Sequence, residues 1–349
     1  MKTIKVNASK SYDILLGSGL LNNIGSYVTK VISSKKIVIV TENNVNAIYG
    51  EQVAKNLEES GFEVYIWQFL AGEQSKNAQV YFELITFIAN CSLQRNDCLL
   101  ALGGGVVGDL CGFAASTYMR GIKFISVPTT LLAIIDSSVG GKTAIDLEQG
   151  KNLVGTFYQP DLVIADIDTL STLPHREIIN GKGELIKYGI LLGGKLWQMI
   201  LTGSNPLDNA CMLELCIKYK RDIVERDEHE KSLRKLLNLG HTAGHAIEKI
   251  TNYAMPHGEC VALGIAIAAR SAYARKELSF TSYEQIMSVL KAENMPLIID
   301  IKQENIINAA LNDKKRAGKE LTMVVINDIG NCQLRNVPIQ SLGEYFVCK

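Results

Sequence analysis

The residues best suited to bind a hard divalent ion lie in the second half of the chain. Glu184 stands in GKGELIKYG, His241 and His245 in NLGHTAGHAIE, and His257 in MPHGEC. The whole chain has 5 histidines, and three of them fall between 241 and 257. His241 and His245 are four apart, which places them on one face of a helix. No HExxH is present, so the common zinc-protease pattern does not apply. His257 follows Pro256 at a predicted helix start. Taken singly, each histidine reads as a packing or surface residue. Their concentration, with glycines beside each, argues for a metal centre of Glu184, His241 and His257. Two imidazoles and one carboxylate suit Zn2+, with Co2+ as an alternative, and leave a fourth position open for a substrate hydroxyl. His175 and His229 sit in polar surroundings and receive no role.

A second cluster lies between 103 and 160. Gly103, Gly105 and Gly108 satisfy GxGxxG after a predicted strand and at a predicted helix start. Glycines at that density let backbone N–H groups approach an anion. The layout departs from the usual dinucleotide fold: two strand–helix units precede these glycines, and Asp109 follows them at once. Glu42, at the end of an earlier strand, is a candidate partner for a ribose hydroxyl. The segment DSSVGGKTAID, 136–146, is polar and glycine-rich, and Lys142 follows two of its glycines as a phosphate-binding lysine would. Lys151 and Asn152 add a cation and a neutral donor. A nucleotide cradle and a metal in one chain point to redox chemistry at an alcohol carbon. Arg120, Lys187, Lys220, Arg234 and the pair Lys314–Lys315 stand near these segments. Arg234 and Asn238 precede His241 by seven and three residues, so helical spacing predicts all three on one face. An anionic substrate carrying carboxylate and phosphate would want such partners.

The elements that must hold these residues change character along the chain. Residues 35–41, 63–69, 97–105 and 123–130 read as strands, with helices near 45–59 and 75–90 and another opening at the glycines. Strands alternating with helices imply a parallel sheet covered on both faces, with ligands at its carboxyl end. From about 173 onward helical periodicities dominate, at 175–193, 209–228, 232–251, 257–278, 281–292 and 303–314. A short strand pair, 321–327 and 331–337, follows. The expected architecture is an α/β N-terminal domain, 1–172, with a parallel Rossmann-like sheet, and a mostly α-helical C-terminal domain, 173–349. The nucleotide cradle falls in the first and the candidate metal ligands in the second.

Composition narrows the function classes. The 36 basic residues balance the 36 acidic ones, which argues against a nucleic-acid binder carried by bulk charge. No apolar run approaches the roughly 20 residues of a membrane span. The N-terminal stretch alternates like a strand and lacks the apolar core of a signal peptide. The 8 cysteines have no CxxC spacing and suit a reducing, cytoplasmic setting.

With these residues assembled, the sequence resembles the 3-dehydroquinate synthase family. The segments that carry the likeness are GEQSK (72–76), GGGVVGDLCGFAASTYMRG (103–121), VPTTLLAIIDSSVGGKTAIDLEQGKN (127–152), GELIKYG (183–189), LRKLLNLGHTAGHAIE (233–248) and HGECVALG (257–264). Ala71 departs from the acid the family often has there, and Glu42 replaces a common aspartate. The resemblance implies Glu184, His241 and His257 as zinc ligands. It implies NAD contacts from Glu42, Asn44, Ala71, Gly72, Glu73, Gln74, Ser75, Lys76, Gly103, Gly104, Gly105, Val106, Val107, Gly108, Asp109, Thr129, Thr130, Lys142, Lys151, Thr169, Leu170, Ser171 and Thr172. It implies a substrate pocket of Arg120, Asp136, Lys142, Asn152, Lys187, Lys220, Arg234, Asn238, His245 and Lys315, with Lys314 as the alternative to the last. The implied assembly is a homodimer in which Arg120 reaches the partner's site.

The reaction so implied converts 3-deoxy-D-arabino-heptulosonate 7-phosphate to 3-dehydroquinate. NAD takes a hydride from C5, the new ketone acidifies C6, phosphate leaves, the hydride returns, and an aldol step closes the ring. Zinc acts as the Lewis acid at the C5 oxygen. His245, and after it Lys187, are the implied proton carriers. A metal-containing polyol or glycerol dehydrogenase, another sugar phosphate cyclase and a non-catalytic homologue are the competing readings. No zinc ligand is missing and Lys142 is present, which weighs against the last.

Overall fold

Runs of branched aliphatic residues are buried along nearly their whole length at Lys36–Glu42, Cys98–Gly103, Lys123–Pro128 and Leu162–Asp166. Strands covered on both faces require this pattern. The computed structural model describes residues 1–313 and 319–348. The chain divides into two compact units, Met1–Leu173 with Lys220–Glu228, and Pro174–Tyr219 with His229–Lys349.

In the first unit, strands β1 (Lys2–Asn7), β2 (Ser11–Gly17), β3 (Lys36–Glu42), β4 (Glu63–Phe69), β5 (Cys98–Gly103), β6 (Lys123–Pro128) and β9 (Leu162–Asp166) form one sheet in the order β1-β2-β9-β6-β5-β3-β4. All neighbours are parallel except β1 and β2, which form an antiparallel edge. Helices α1 (Ile24–Val28), α2 (Asn43–Val45), α3 (Glu51–Glu59), α4 (Ala78–Asn90) and α5 (Gly105–Thr117) make the connections. The strand order reverses direction between β3 and β5. Ligands of open α/β sheets bind at such a reversal, beyond the carboxyl ends of the strands. Glu42 and Gly103 end these two strands. Two apolar layers flank the sheet, one around Ile37, Ile39, Leu100 and Ile164, the other around Val38, Leu99, Leu110 and Phe124.

The sequence reading missed strand β9 and a hairpin here. Residues around 142–157, read as a phosphate-binding segment with an apolar tail, form a two-stranded hairpin, β7 (Lys142–Leu147) and β8 (Gly150–Phe157). Its short turn and its interruption by Asn152, at φ 56, hid the alternation.

The second unit is built from α6 (His175–Leu192), α7 (Gly194–Leu201), the first part of α8 (Ala210–Arg226), α9 (His241–Ile250), α10 (His257–Ala274), α11 (Phe280–Ala292) and α12 (Gln303–Asp313), with the hairpin β10 (Glu320–Asp328) and β11 (Asn331–Pro338). The mixed, mostly parallel α/β fold of the first unit and the helical second unit agree with the expected fold class. One expectation fails. Residues 232–251 are not one helix: a 3-10 turn, Leu233–Asn238, is followed by Gly240 at φ 79, and α9 begins only at His241. Arg234 and Asn238 therefore do not share a helix face with His241. A left-handed glycine breaks the register that spacing alone had assumed.

Candidate functional site

Glycines decide how closely the metal-bearing helices approach. A Cβ on Gly183 of α6 would lie 2.2 Å from the Gly258 carbonyl oxygen of α10, and one on Gly258 1.8 Å from the Asn180 oxygen. A Cβ on Gly264 would meet the Gly240 oxygen at 1.9 Å. No side chain fits at these points, so the backbones of α6, α10 and the residue before α9 stand nearly in contact. Three of these four glycines neighbour a site residue: Gly183 precedes Glu184, Gly240 precedes His241, and Gly258 follows His257.

The Nε2 atoms of His241 and His257 lie 3.3 and 3.1 Å from the same Glu184 oxygen, Oε1. The three ligand atoms lie within 4.8 Å of one another. Around a tetrahedral ion with bonds of about 2.0–2.1 Å, neighbouring donor atoms are roughly 3.3 Å apart. The other ring nitrogens are engaged: His241 Nδ1 meets the Leu239 carbonyl at 3.1 Å, and His257 Nδ1 meets Glu248 Oε1 at 2.7 Å. Once each Nδ1 donates to those oxygens, each Nε2 turns a lone pair toward a carboxylate oxygen. In that tautomer two acceptors face each other, and either a proton on Nε2 or a cation held between them relieves the repulsion. The residues fit a zinc-like ion on donor chemistry and on spacing, and the outer hydrogen bonds are those that orient metal-bound imidazoles.

Charge at this centre is held strongly. Burial of Glu184 disfavours its ionised form, but the Lys187 ammonium, with His241 and His257, holds its carboxyl well below the usual range. Burial also opposes the charge on His257, yet hydrogen bonds to Glu184 and Glu248 push its imidazole up to about 10. Lys187 and Arg234 are almost wholly buried, at 1% and 2% exposure. Asn238 Nδ2 donates to Glu230 Oε1 at 2.6 Å. His245 is exposed, its ring 5.2 Å from that of His241 and 6.0 Å from that of His257. Sequence reasoning did not single out Glu230 or Glu248. Glu248 had a signal, an acid seven residues after His241 and so on nearly the same side of a helix.

In the first unit, α5 begins at Gly104–Gly105, directly beyond β5. The first N–H groups of such a helix lack intrahelical acceptors and carry the positive end of its dipole. A Cβ on Gly103 would lie 2.5 Å from Val107, and one on Gly104 3.0 Å from Thr130, so the turn is closed against side chains. Thr129 N donates to the Gly103 carbonyl, and the buried Thr129 hydroxyl has no partner among the described residues. Glu42 Oε2 and Oε1 accept from the backbone N–H groups of Asn44 and Val45, which fixes the carboxylate at the end of β3. Asn43 Oδ1 accepts from Ala71 N and draws in the loop Ala71–Lys76. The turn Ile167–Thr172 joins the group through Thr172, whose hydroxyl lies 2.6 Å from that of Tyr49.

Lys76, Asp109, Glu73 and Asn152 meet in one polar knot in this unit. Burial, only partly offset by Lys76, pushes the Asp109 carboxyl up to about 6. Lys151 stands 3.9 Å from Glu73. Lys220, from the end of α8 that belongs to this unit, bonds both the carbonyl and the carboxylate of Asp136. Lys142 opens β7 on an exposed face. Arg120 is exposed at φ 65, next to Met119 at φ 50. Lys314 and Lys315 lie outside the described residues.

Comparison with known proteins adds to this geometry. Two family profiles match, "3-dehydroquinate synthase N-terminal" over residues 66–180 and "3-dehydroquinate synthase C-terminal" over residues 181–316. The chain is 41% identical to a 3-dehydroquinate synthase of Clostridium acetobutylicum over 352 aligned positions, covering 99% of each chain. Among solved structures it is similar to 2-deoxy-scyllo-inosose synthase complexed with carbaglucose-6-phosphate, NAD+ and Co2+, at 27% identity, TM-score 0.88 and 98% coverage of both chains. A 2-epi-5-epi-valiolone synthase from Streptomyces hygroscopicus with NAD+ and Zn2+ bound shares the fold, at 24% identity, TM-score 0.88, and coverage of 97% of this chain and 96% of that one.

Proposed function

The chain belongs to the 3-dehydroquinate synthase family and is a lyase, and from that premise we propose how its residues divide the work. The substrate is 3-deoxy-D-arabino-heptulosonate 7-phosphate, and the products are 3-dehydroquinate and inorganic phosphate. The first unit seats NAD, and the second holds a divalent ion on Glu184, His241 and His257. The observation that carries this reading is the convergence of two imidazole Nε2 atoms on one fully buried carboxylate oxygen.

When bound, NAD supplies a reversible hydride acceptor and the ion a Lewis acid for a hydroxyl oxygen. Lys187 keeps the buried Glu184 ionised, so the ligand set stays anionic. Glu248 and the Leu239 carbonyl hold the two imidazoles in the tautomer that presents Nε2. His245, exposed beside both, is the proton carrier at the substrate hydroxyl. Arg234 and Asn238 bind the substrate carboxylate, and a planar guanidinium matches it in two bonds. Lys142, Asn152, Lys220 and Asp136 hold the rest of the substrate and the leaving phosphate. The α5 N-terminus at Gly104–Gly105, with Thr129, Thr130, Lys151 and the loop Ala71–Ser75, seats the dinucleotide. Arg120 serves a partner's site in a homodimer, and the enzyme is cytoplasmic. Among the described residues no helix is long and apolar enough to cross a membrane, and all 8 cysteines are free.

The test is stoichiometric. With the heptulosonate phosphate, catalytic NAD+ and zinc, phosphate is released in step with dehydroquinate and NADH does not accumulate. Net NADH without phosphate release would make the protein a dehydrogenase and overturn the reading.

A further inference from the structure

We propose that Lys76 is a positioning residue rather than a cofactor-phosphate ligand, and that what it positions is Asn152. This deepens the function proposed above and rests on it for the role of Asn152 in the substrate pocket. An ammonium has three donors. Lys76 Nζ lies 2.8 Å from Glu73 Oε1, 2.8 Å from Asn152 Oδ1 and 3.2 Å from Asp109 Oδ2. Lys76 is 4% exposed, so a cofactor oxygen could gain a bond only by displacing one of these acceptors. The acceptors come from three separate segments: the loop Ala71–Lys76, the second turn of α5, and the start of β8. Lys76 ties them together.

Asn152 needs that tie. Its backbone is left-handed, at φ 56, which is unfavourable for a residue with a Cβ although asparagine tolerates it better than most. Two bonds hold it there: Lys76 Nζ donates to its side-chain oxygen, and its own N–H donates to Asp146 Oδ1 at 2.7 Å. Asp146 is in turn clasped to the same loop, its N–H donating to the Lys76 carbonyl at 2.7 Å. Lys76 thus holds Asn152 from the side chain, and Asp146 holds it from the main chain. With Oδ1 accepting from Lys76, the Nδ2 group is the end of the amide that turns to a ligand oxygen.

The experiment is a double-mutant cycle of Lys76→Met and Asn152→Ala, with NAD+ affinity measured directly by calorimetry and substrate KM and kcat measured at saturating NAD+. The expected result is a loss in kcat/KM of at least tenfold for Lys76→Met alone, with NAD+ affinity changed less than threefold. In the Asn152→Ala background the same substitution should change kcat/KM less than threefold. A drop in NAD+ affinity that equals or exceeds the loss in kcat/KM, or losses that simply multiply, would overturn the proposal. Asp146→Ala is the second probe: it leaves the buried lysine in place and should reproduce the substrate defect at smaller size, and an unchanged KM and kcat would count against the proposal. Hydrogen exchange of the peptide spanning 146–157 is read without substrate. It should rise at least tenfold in Lys76→Met, and unaltered exchange would refute the tether. A wild-type protein that released no phosphate would sink the functional reading instead, and the exchange result would still judge the tether.

Discussion

The two units solve opposite problems with different materials. The proposed nucleotide cradle of the first is made of backbone: helix N–H groups, glycines with no room for a Cβ, and strand ends at a reversal of sheet order. The candidate metal centre of the second is made of side chains, and Gly183, Gly240 and Gly258 lie one residue away from them, where they set the backbone spacing. A cradle of main-chain groups accepts many sequences that keep the turn, whereas a three-ligand centre depends on every ligand. The first unit should therefore degrade gradually under substitution and the second abruptly.

Substitutions test that contrast, from the largest effect down. Glu184→Ala should abolish tight zinc binding and lower kcat/KM by more than about a thousandfold, the scale expected when a transition-state charge loses its stabiliser, while NAD+ affinity stays within about threefold. Metal analysis and calorimetry would check it, and a parallel collapse of NAD+ binding would erase the distinction between the units.

Next is a pH effect in the cradle. The Asp109 carboxyl is pushed from 3.8 up to about 6 in the folded chain. The fold therefore binds more protons than the unfolded chain between those values, and stability should fall as pH rises from about 4 to 6. The change is at most about 3 kcal/mol at 1.36 kcal/mol per unit. Asp109→Asn should flatten that slope in urea titrations, and an unchanged slope would assign the proton elsewhere.

Glu248→Gln keeps an acceptor for His257 Nδ1 but removes its charge. Zinc affinity, measured by chelator competition, should weaken about 10–100-fold, with NAD+ binding unaffected. Gly103→Ala drives a methyl against Val107, 2.5 Å away. Overpacking of this kind costs about 1–2 kcal/mol, so thermal unfolding should shift by a few degrees while zinc stays bound.

Much of this was legible before any coordinates, for different reasons in the two units. Glu184, His241 and His257 stood out in the sequence as a candidate ligand set because histidines are few, and the fold brings their ligand atoms within 4.8 Å of one another. The buried strands β3, β5 and β6 were readable because unbroken aliphatic runs have few alternatives. What sequence could not give was orientation. Gly240 adopts φ 79, so Arg234 and Asn238 leave the helix face that counting residues had given them. The hairpin of β7 and β8 was hidden behind Asn152 and the polar segment that precedes it. Lys76 stood among the NAD contacts that the resemblance implied. Only the three acceptors around its ammonium separate holding a loop from holding a ligand.

X-ray absorption at the zinc edge of the metal-loaded protein tests the central claim most directly. Two imidazole nitrogens and a carboxylate oxygen at about 2.0–2.1 Å are expected, with one imidazole lost in His257→Ala. Sulfur scattering near about 2.3 Å, or a spectrum that His257→Ala leaves unchanged, would contradict a centre built from Glu184, His241 and His257.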